Sequence, residues 1–169
     1  MRAIGRVMAA LAAVLTVGAC DPSGKVYEDV RLARLKVGES TEQDILKVFG
    51  QPTAVRDIAG GKGLIYPLGP EGAHTLLLKV GPDGRYQDRE NLLTRENFGR
   101  INTSMKQVDV LALLGPPGRT QPLPLKQQTT WEWRFLDGQE TRMFVVAFDA
   151  RGQVVSTATE DDPRRQGGR

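Results

Sequence analysis

Hydrophobic and polar positions along this chain follow two spacings, and each spacing occurs twice. Apolar residues have helix-like spacing in residues 40–53 and again in 104–118. After each segment the period changes to two, which is typical of half-buried β-strands. The pattern therefore predicts two consecutive units of the same kind, each with a helical part followed by strands.

Both helical segments carry start and stop signals. Each ends in a glycine followed by proline, in Gly50-Gln51-Pro52 and in Gly115-Pro116-Pro117, which is typical of a helix C-terminus. Side chains that can cap the first turn are Ser40 with Gln43 or alternatively Thr41 with Asp44, and Ser104 with Gln107. A shorter apolar-periodic piece precedes each helix at 30–35 and 94–101, with Thr94 as a cap, and predicts a helix pair in each unit.

The strand segments of the second unit have two unlike patterns. Trp131, Trp133 and Phe135 alternate with Glu132 and Arg134, so the aromatic rings are expected to face the helices and the charges to face water. Residues 142–148, by contrast, are apolar on both faces, with Met143, Val145 and Ala147 on one and Phe144, Val146 and Phe148 on the other. A sheet with one wet face does not carry such a strand, so the first unit, a second copy, a partner protein or lipid must cover it.

These observations predict an α+β fold of two tandem repeats. Each repeat is a helix pair followed by an antiparallel three- to four-stranded meander with its helices on one face. The expected repeats are residues 28–90 and 91–159, and 160–169 form a solvated, disordered tail without apolar residues. Phe144, Val146 and Phe148 are the candidate partner-binding residues.

The first twenty residues have the layout of a bacterial export signal. Arg2 and Arg6 precede a short apolar run, and small residues lead to Cys20, the only cysteine of the chain. This arrangement resembles a lipobox, which predicts a signal peptide over 1–19, lipid attachment at Cys20 and a tether over 20–27. Asp21 resembles an inner-membrane retention signal, although the outer membrane is the favoured location.

Composition and charge give no sign of catalysis or of nucleic-acid binding. The chain has a net charge of +3, and two of its arginines lie in the leader. His74 is the only histidine, at a turn where an exposed loop residue is expected, and it has no second histidine or free thiol to join in a metal site or triad. The acids Glu160, Asp161 and Asp162 read as solubilising charge in the tail. We therefore expect no enzyme, no metal and no cofactor.

The helix caps, the glycine–proline stops and the lipobox together resemble the SmpA/OmlA (BamE-like) family of outer-membrane assembly lipoproteins. The similar residues are Val37-Gly38 through Phe49-Gly50-Gln51-Pro52 and Ile101 through Leu114-Gly115-Pro116-Pro117. Family members resemble one such unit, whereas this chain has two, and Thr103 stands where the second copy would have the family's glycine. A tandem pair is also similar to the fold of the β-lactamase inhibitor protein.

The resemblance implies a non-enzymatic envelope lipoprotein that faces the periplasm. It would be attached to a membrane by its N-terminal lipid and would bind envelope proteins, among them the β-barrel assembly machinery, as a scaffold for outer-membrane protein assembly or envelope integrity. The tandem arrangement leaves an alternative open, an inhibitor-like module that binds a periplasmic or extracellular enzyme.

Overall fold

The computed structural model describes residues 29–68 and 72–165, and within them the chain forms two four-stranded antiparallel sheets. Each sheet is a meander in chain order, β1-β2-β3-β4 and β5-β6-β7-β8. The strands are β1 (Ala54–Ile58), β2 (Gly61–Leu68), β3 (His74–Val80), β4 (Tyr86–Asn91), β5 (Arg119–Leu123), β6 (Gln128–Asp137), β7 (Glu140–Phe148) and β8 (Val154–Asp161). The predicted α+β class and the two antiparallel meanders are confirmed.

The helices are fewer and shorter than two matched pairs would require. They are α1 (Glu42–Phe49), α2 (Arg95–Gly99) and α3 (Gln107–Leu114), with 3-10 helices at Val30–Arg34, Pro124–Lys126 and Pro163–Arg165. The first predicted member of the first pair is therefore a five-residue 3-10 helix. Its N-cap residue Asp29 accepts a hydrogen bond from the backbone N–H of Arg31 at 2.9 Å, a local bond that closes a tight turn.

The helix caps follow the sequence prediction in the first half and depart from it in the second. Thr41 and Asp44 form the capping box of α1, which selects between the two predicted starts. In the second half, however, the carboxylate of Asp109 accepts the backbone N–H of Lys106 at 2.8 Å. The predicted Ser104–Gln107 pair is wrong, because the Ser104 side chain and backbone N–H both bond Asn102 instead.

The two halves repeat the same backbone contacts at equivalent positions. The N–H of Thr53 bonds the carbonyl of Ile65 at 2.9 Å, and that of Gly118 bonds Glu132 at 2.9 Å. Each sheet also has one register shift in the pairing of its last two strands, at 79/80 and at 147/148. These matched contacts support the predicted tandem arrangement.

Each half has its own hydrophobic core between its sheet and its helices. The core of the first half consists of Leu32, Leu35, Ile45, Leu64, Tyr66, Leu76, Leu78, Val80 and Tyr86. The core of the second half is rich in aromatic rings and consists of Leu93, Phe98, Ile101, Val110, Leu114, Trp133, Phe135, Phe144, Val146, Phe148 and Val154. Because Trp133 and Phe135 are 1% and 2% exposed, the prediction that the aromatic rings of β6 face the helices is confirmed.

The first sheet is covered on both faces, which the prediction of helices on one face did not include. Ile65, Leu77 and Leu92 form a small separate cluster on the face opposite α1. Gly115, directly after α3, lies against that face, since a Cβ added to it would stand 3.1 Å from Ile65 and 3.0 Å from Thr75. The end of α3 therefore packs between its own sheet and the first sheet, and joins the two halves.

The C-terminal segment is structured as far as the structure describes it. β8 continues through Glu160 to Asp161, and Pro163–Arg165 forms a 3-10 helix. Asp162 is 1% exposed. The predicted disordered tail over 160–169 is therefore wrong for 160–165, because a buried carboxylate holds this segment to the second sheet. Among the described residues, none of the helices has the length and hydrophobicity that a membrane crossing requires.

Candidate functional site

Three of the four residues proposed from the sequence as functional lie in the described part of the chain. Phe144, Val146 and Phe148 are 4%, 0% and 0% exposed and pack in the core of the second half. The prediction that these residues bind a partner is therefore corrected: they are core residues, because their side chains face α2 and α3 and offer no surface to a partner. Cys20, the predicted site of lipid attachment, lies outside the described residues.

The opposite face of β7 is shielded by long charged side chains of the neighbouring strand. Met143 lies directly opposite Arg134 and Val145 opposite Glu132 in the register of β6 with β7. The side chains of Arg134 and Glu132 are only 12% and 15% exposed, so their aliphatic parts cover apolar surface. The second apolar face of β7 is thus covered mainly from within its own sheet.

A cleft opens on this face where the two halves meet, and we call it the junction cleft. Its volume is about 610 Å³, which lies within the range of roughly 300 to 1,000 Å³ typical of ligand pockets. Its lining comes from both halves: Thr53, Pro67, Gly72, Pro116, Pro117, Gly118, Arg119, Glu132, Trp133, Arg134, Met143, Pro163 and Arg164. Both halves contribute side chains to it, as they also do to a smaller cavity between the first sheet and α3.

Prolines form much of the wall of the junction cleft. Pro67 belongs to β2, Pro116 and Pro117 follow α3, and Pro163 begins the C-terminal 3-10 helix. Proline fixes its own φ and has no N–H to donate. These four positions of the wall are therefore stiff and apolar, and a ligand that binds against them loses little free energy to ordering of the protein.

A buried ion pair lies at one side of the junction cleft. The Nε of Arg134 donates to Oδ2 of Asp162 at 2.7 Å, and a second bond joins the same two side chains at 3.2 Å. Hydrogen bonding from Arg134, despite an opposing effect of burial, lowers the pKa of Asp162 to about 2. The pair fixes the start of the C-terminal 3-10 helix, because Asp162 also accepts the backbone N–H of Arg164 at 3.1 Å.

The charge of the junction cleft is positive on balance. Three arginines line it, Arg119, Arg134 and Arg164, against the carboxylates of Glu132 and of Asp162, which bonds Arg134 from beside the cleft. The Arg119 side chain is 62% exposed, and its guanidinium lies 3.7 Å from Glu132. At that distance and exposure the pair is weak, so the Arg119 guanidinium is available to an incoming acidic group.

His74 is buried, contrary to the exposed loop residue expected from the sequence. It begins β3 opposite Leu68 and is 7% exposed. Burial lowers the pKa of its imidazole, which favours the neutral form. No group of three His, Cys, Asp or Glu side chains that could hold a metal ion occurs within residues 29–68 and 72–165.

A smaller cavity, of about 340 Å³, lies away from the junction cleft, between the first sheet and α3. Its lining includes Arg56, Glu90, Arg100 and Asp109. Burial lowers the pKa of Arg56, and Glu90 partly opposes this. The charges in this cavity cancel, with two arginines against two acids, whereas the junction cleft has three arginines against two acids.

Sequence reasoning missed the residues of the junction cleft, although some signals were present. The sequence pattern predicts Arg134 on a wet sheet face and Asp162 in the tail, whereas the structure pairs these two residues, which are 28 positions apart in sequence. The same pattern indicates only a helix stop at Pro116 and Pro117. A proline pair followed by Arg119 on the first strand of the repeat was the available signal for a stiff apolar wall beside a basic side chain.

Comparisons with known proteins leave the family open. No family model matches the chain, and no curated protein matches it. Two solved structures show a distant likeness. A DUF4309 family protein (YjgB) from Bacillus subtilis shares 15% identity over 76% of this chain and 82% of that protein, with a TM-score of 0.28. A candidate β-lactamase inhibitor protein from Streptococcus mutans shares 13% identity over 77% of this chain and 93% of that protein, with a TM-score of 0.31. At these TM-scores function has to be argued from the residues of the chain itself.

Proposed function

We propose that this chain is a non-enzymatic protein-binding module of the bacterial envelope that is anchored by lipid at Cys20. The observation that carries the binding role is the junction cleft, which has a stiff apolar wall of prolines and a positive balance of charge. Its occupant in this proposal is a segment of a partner protein with an acidic side chain beside apolar residues. The acidic group would meet Arg119, and the apolar residues would lie on Pro116 and Pro117.

The anchor rests on the sequence at the start of the chain. A basic start, an apolar run and small residues before Cys20 are the features that support it. Tethering to a membrane surface would raise the local concentration of the module near membrane-bound partners, so the cleft itself needs only modest affinity.

The finer assignment follows the SmpA/OmlA resemblance of the two helix–glycine–proline segments. On that basis we propose a role in outer-membrane protein assembly or envelope integrity, with the β-barrel assembly machinery among the partners. The outer membrane is the proposed location, and Asp21 makes the inner membrane the alternative to test. Fractionation of the wild-type chain and of Cys20→Ala tests the anchor: the variant is expected to lose its lipid and its membrane association.

Site-specific photo-crosslinking in intact envelopes tests the binding role. A photoreactive amino acid at Thr53, on the rim of the junction cleft, is expected to yield a discrete protein adduct. The same amino acid at Leu125, which is fully exposed on the β5–β6 connection and outside the cleft lining, is the matched control. Arg119→Glu should reduce the Thr53 adduct at least fivefold, because it reverses the charge offered to the acidic group.

A second candidate function, an inhibitor-like module, is favoured by the matched contacts of the two halves. In such a module both halves grip one enzyme, so the bound partner would be a hydrolase that loses activity in a one-to-one complex. An adduct from Thr53 to a membrane assembly protein supports the scaffold, and an adduct to a soluble hydrolase supports the inhibitor.

A further inference from the structure

β8 is a sheet edge that the described part of the chain leaves open. It is the last strand of the second sheet, and β7 is its partner along its length. At its start the N–H of Val154 bonds the carbonyl of Met105 at 2.9 Å. From Val155 to Asp161 no second strand or bridge in residues 29–68 and 72–165 pairs with it.

The other three sheet edges carry features within the strand that discourage pairing with another chain, whereas the charges of β8 are confined to its last two residues. β1 has charged residues at its centre, β4 has three consecutive charged residues at 88–90, and β5 contains Pro122. Charge and proline are the common means by which proteins protect an edge strand. β8 has neither from Val155 to Thr159, and its side chains there are exposed.

The side chains at the centre of β8 are small on both faces, which suits pairing with an identical strand. Thr157 and Thr159 lie on the core side, opposite Val146 and Phe144 of β7. Ser156 and Ala158 lie on the other side. Threonine pairs across an antiparallel ladder are favourable neighbours.

Charge along β8 is arranged with opposite signs at its two ends. Glu160 and Asp161 are at its C-terminal end, and both are exposed, although Asp161 also lies 3.3 Å from Arg142. At its N-terminal end lie Lys106, which bridges to Gln153, and Arg151, whose side chain is 87% exposed and lies 3.5 Å from Asp149, so the balance of charge there is positive. A copy of the strand in the antiparallel direction would bring each acidic end to a basic end, whereas a parallel copy would put acids beside acids.

We propose that β8 pairs with β8 of a second copy of this chain in antiparallel register about Ala158. This register places Thr157 opposite Thr159 of the other copy, twice by symmetry, and Glu160 opposite Ser156. Asp161 then lies beside Val155 and next to Lys106. The two sheets join into one continuous eight-stranded sheet, and the exposed backbone groups of both edges are satisfied.

Disulfide trapping tests the register directly. Ala158→Cys in the full chain, expressed in its own membranes and oxidised mildly, should give a disulfide-linked dimer, because opposed residues in an antiparallel pair are close enough for the bond. The matched control is Val55→Cys, which is 56% exposed on the edge strand β1. Any disulfide-linked dimer formed through Cys20 is measured in the wild-type chain and is absent from Ala158→Cys and Val55→Cys variants that also carry Cys20→Ala.

A charge-pair experiment tests specificity on the detergent-solubilised full chain. Ala158→Lys and Ala158→Glu should each weaken self-association by at least about threefold, since each places like charges opposite one another. Mixing the two variants should restore it. Unchanged circular dichroism shows that both variants are folded, as expected for an exposed position.

Two results would overturn the proposal. One is a dimer yield from Ala158→Cys no higher than that from Val55→Cys, together with a monomeric wild-type chain in sedimentation. The other is trapping of Ala158→Cys on a different protein, which would make β8 a docking edge for an unlike partner.

Discussion

Tyr66 and Trp133 hold equivalent positions in the two halves, and each donates a hydrogen bond to the glycine carbonyl that follows the helix of its own half. The Tyr66 hydroxyl bonds Gly50 at 3.0 Å, and the Trp133 indole Nε1 bonds Gly115 at 3.2 Å. A phenol and an indole thus fix the same helix end to the same strand of each sheet. The relationship is chemical as well as positional, because both are large rings with one polar atom.

Tyr66→Phe should therefore destabilise the chain by about 1 kcal/mol, because it removes one hydrogen bond and keeps the ring. Trp133→Phe should cost more, about 2 to 4 kcal/mol, because it also leaves a cavity in the second core. Denaturation in urea, followed by fluorescence for the first variant and by circular dichroism for both, measures the two losses. Equal losses would contradict the packing described for Trp133.

Phe144 tests whether the residues first proposed for partner binding belong to the core. Its ring stacks on that of Phe98 at 4.1 Å between centroids, and it is 4% exposed. Phe144→Ala should cost about 3 to 5 kcal/mol of unfolding free energy. A variant that keeps full stability and loses only the Thr53 photo-adduct would show that Phe144 faces a partner instead.

The contact between the halves at Gly115 gives a matched pair of variants. Gly50 and Gly115 both have positive φ, 80° and 77°, so alanine strains the backbone similarly at each. A Cβ at Gly50 meets nothing within 4 Å, whereas at Gly115 it meets Thr75 and Ile65 of the first sheet at 3.0 and 3.1 Å. Gly115→Ala should destabilise by about 1 kcal/mol more than Gly50→Ala, measured by thermal unfolding. Equal effects would mean that the halves do not pack at this point.

The Arg134–Asp162 pair predicts a defined pH dependence. The pKa of Asp162 is lowered from 3.8 to about 2 in the folded chain. Ionised Asp162 therefore stabilises the fold fully when the pH is above the pKa that this residue has in the unfolded chain, and the stabilisation is lost as the pH falls towards the folded-state pKa. Asp162→Asn should cost about 2 to 3 kcal/mol at pH 7. The difference in unfolding free energy between Asp162→Asn and the wild-type chain should shrink between about pH 4 and pH 2.

Asp161→Asn is the control for that experiment. Asp161 lies 3.3 Å from Arg142, but its side chain is 70% exposed. The Asp161→Asn variant should lose less than about 0.5 kcal/mol of unfolding free energy at every pH. A loss as large as that of Asp162→Asn would show that charge at this end of β8, rather than the buried pair, sets the stability.

Local pattern was enough to predict the strands, the glycine ends of the helices and the aromatic core. The alternation through Trp133 and Phe135 settles which way β6 faces, and Gly50 and Gly115 end α1 and α3 as their sequence context indicates. These features depend on residues within one or two turns of one another, so a single segment contains the information.

The junction cleft could not be predicted because it depends on contacts between distant segments. Asp162 becomes a structural residue only when Arg134 lies beside it, and Thr75 becomes buried only when α3 of the other half covers it. The same reason explains the error at Phe144, since sequence alternation shows two apolar faces without showing which one the helices cover.

The most direct test of the proposed function is the photo-adduct formed from Thr53 in intact envelopes, compared in the wild-type background and in Arg119→Glu. The proposal predicts a discrete adduct with an envelope protein that falls at least fivefold with the charge reversal and does not form from Leu125. Adducts of equal yield and identity from Thr53 and Leu125, unchanged by Arg119→Glu, would contradict it.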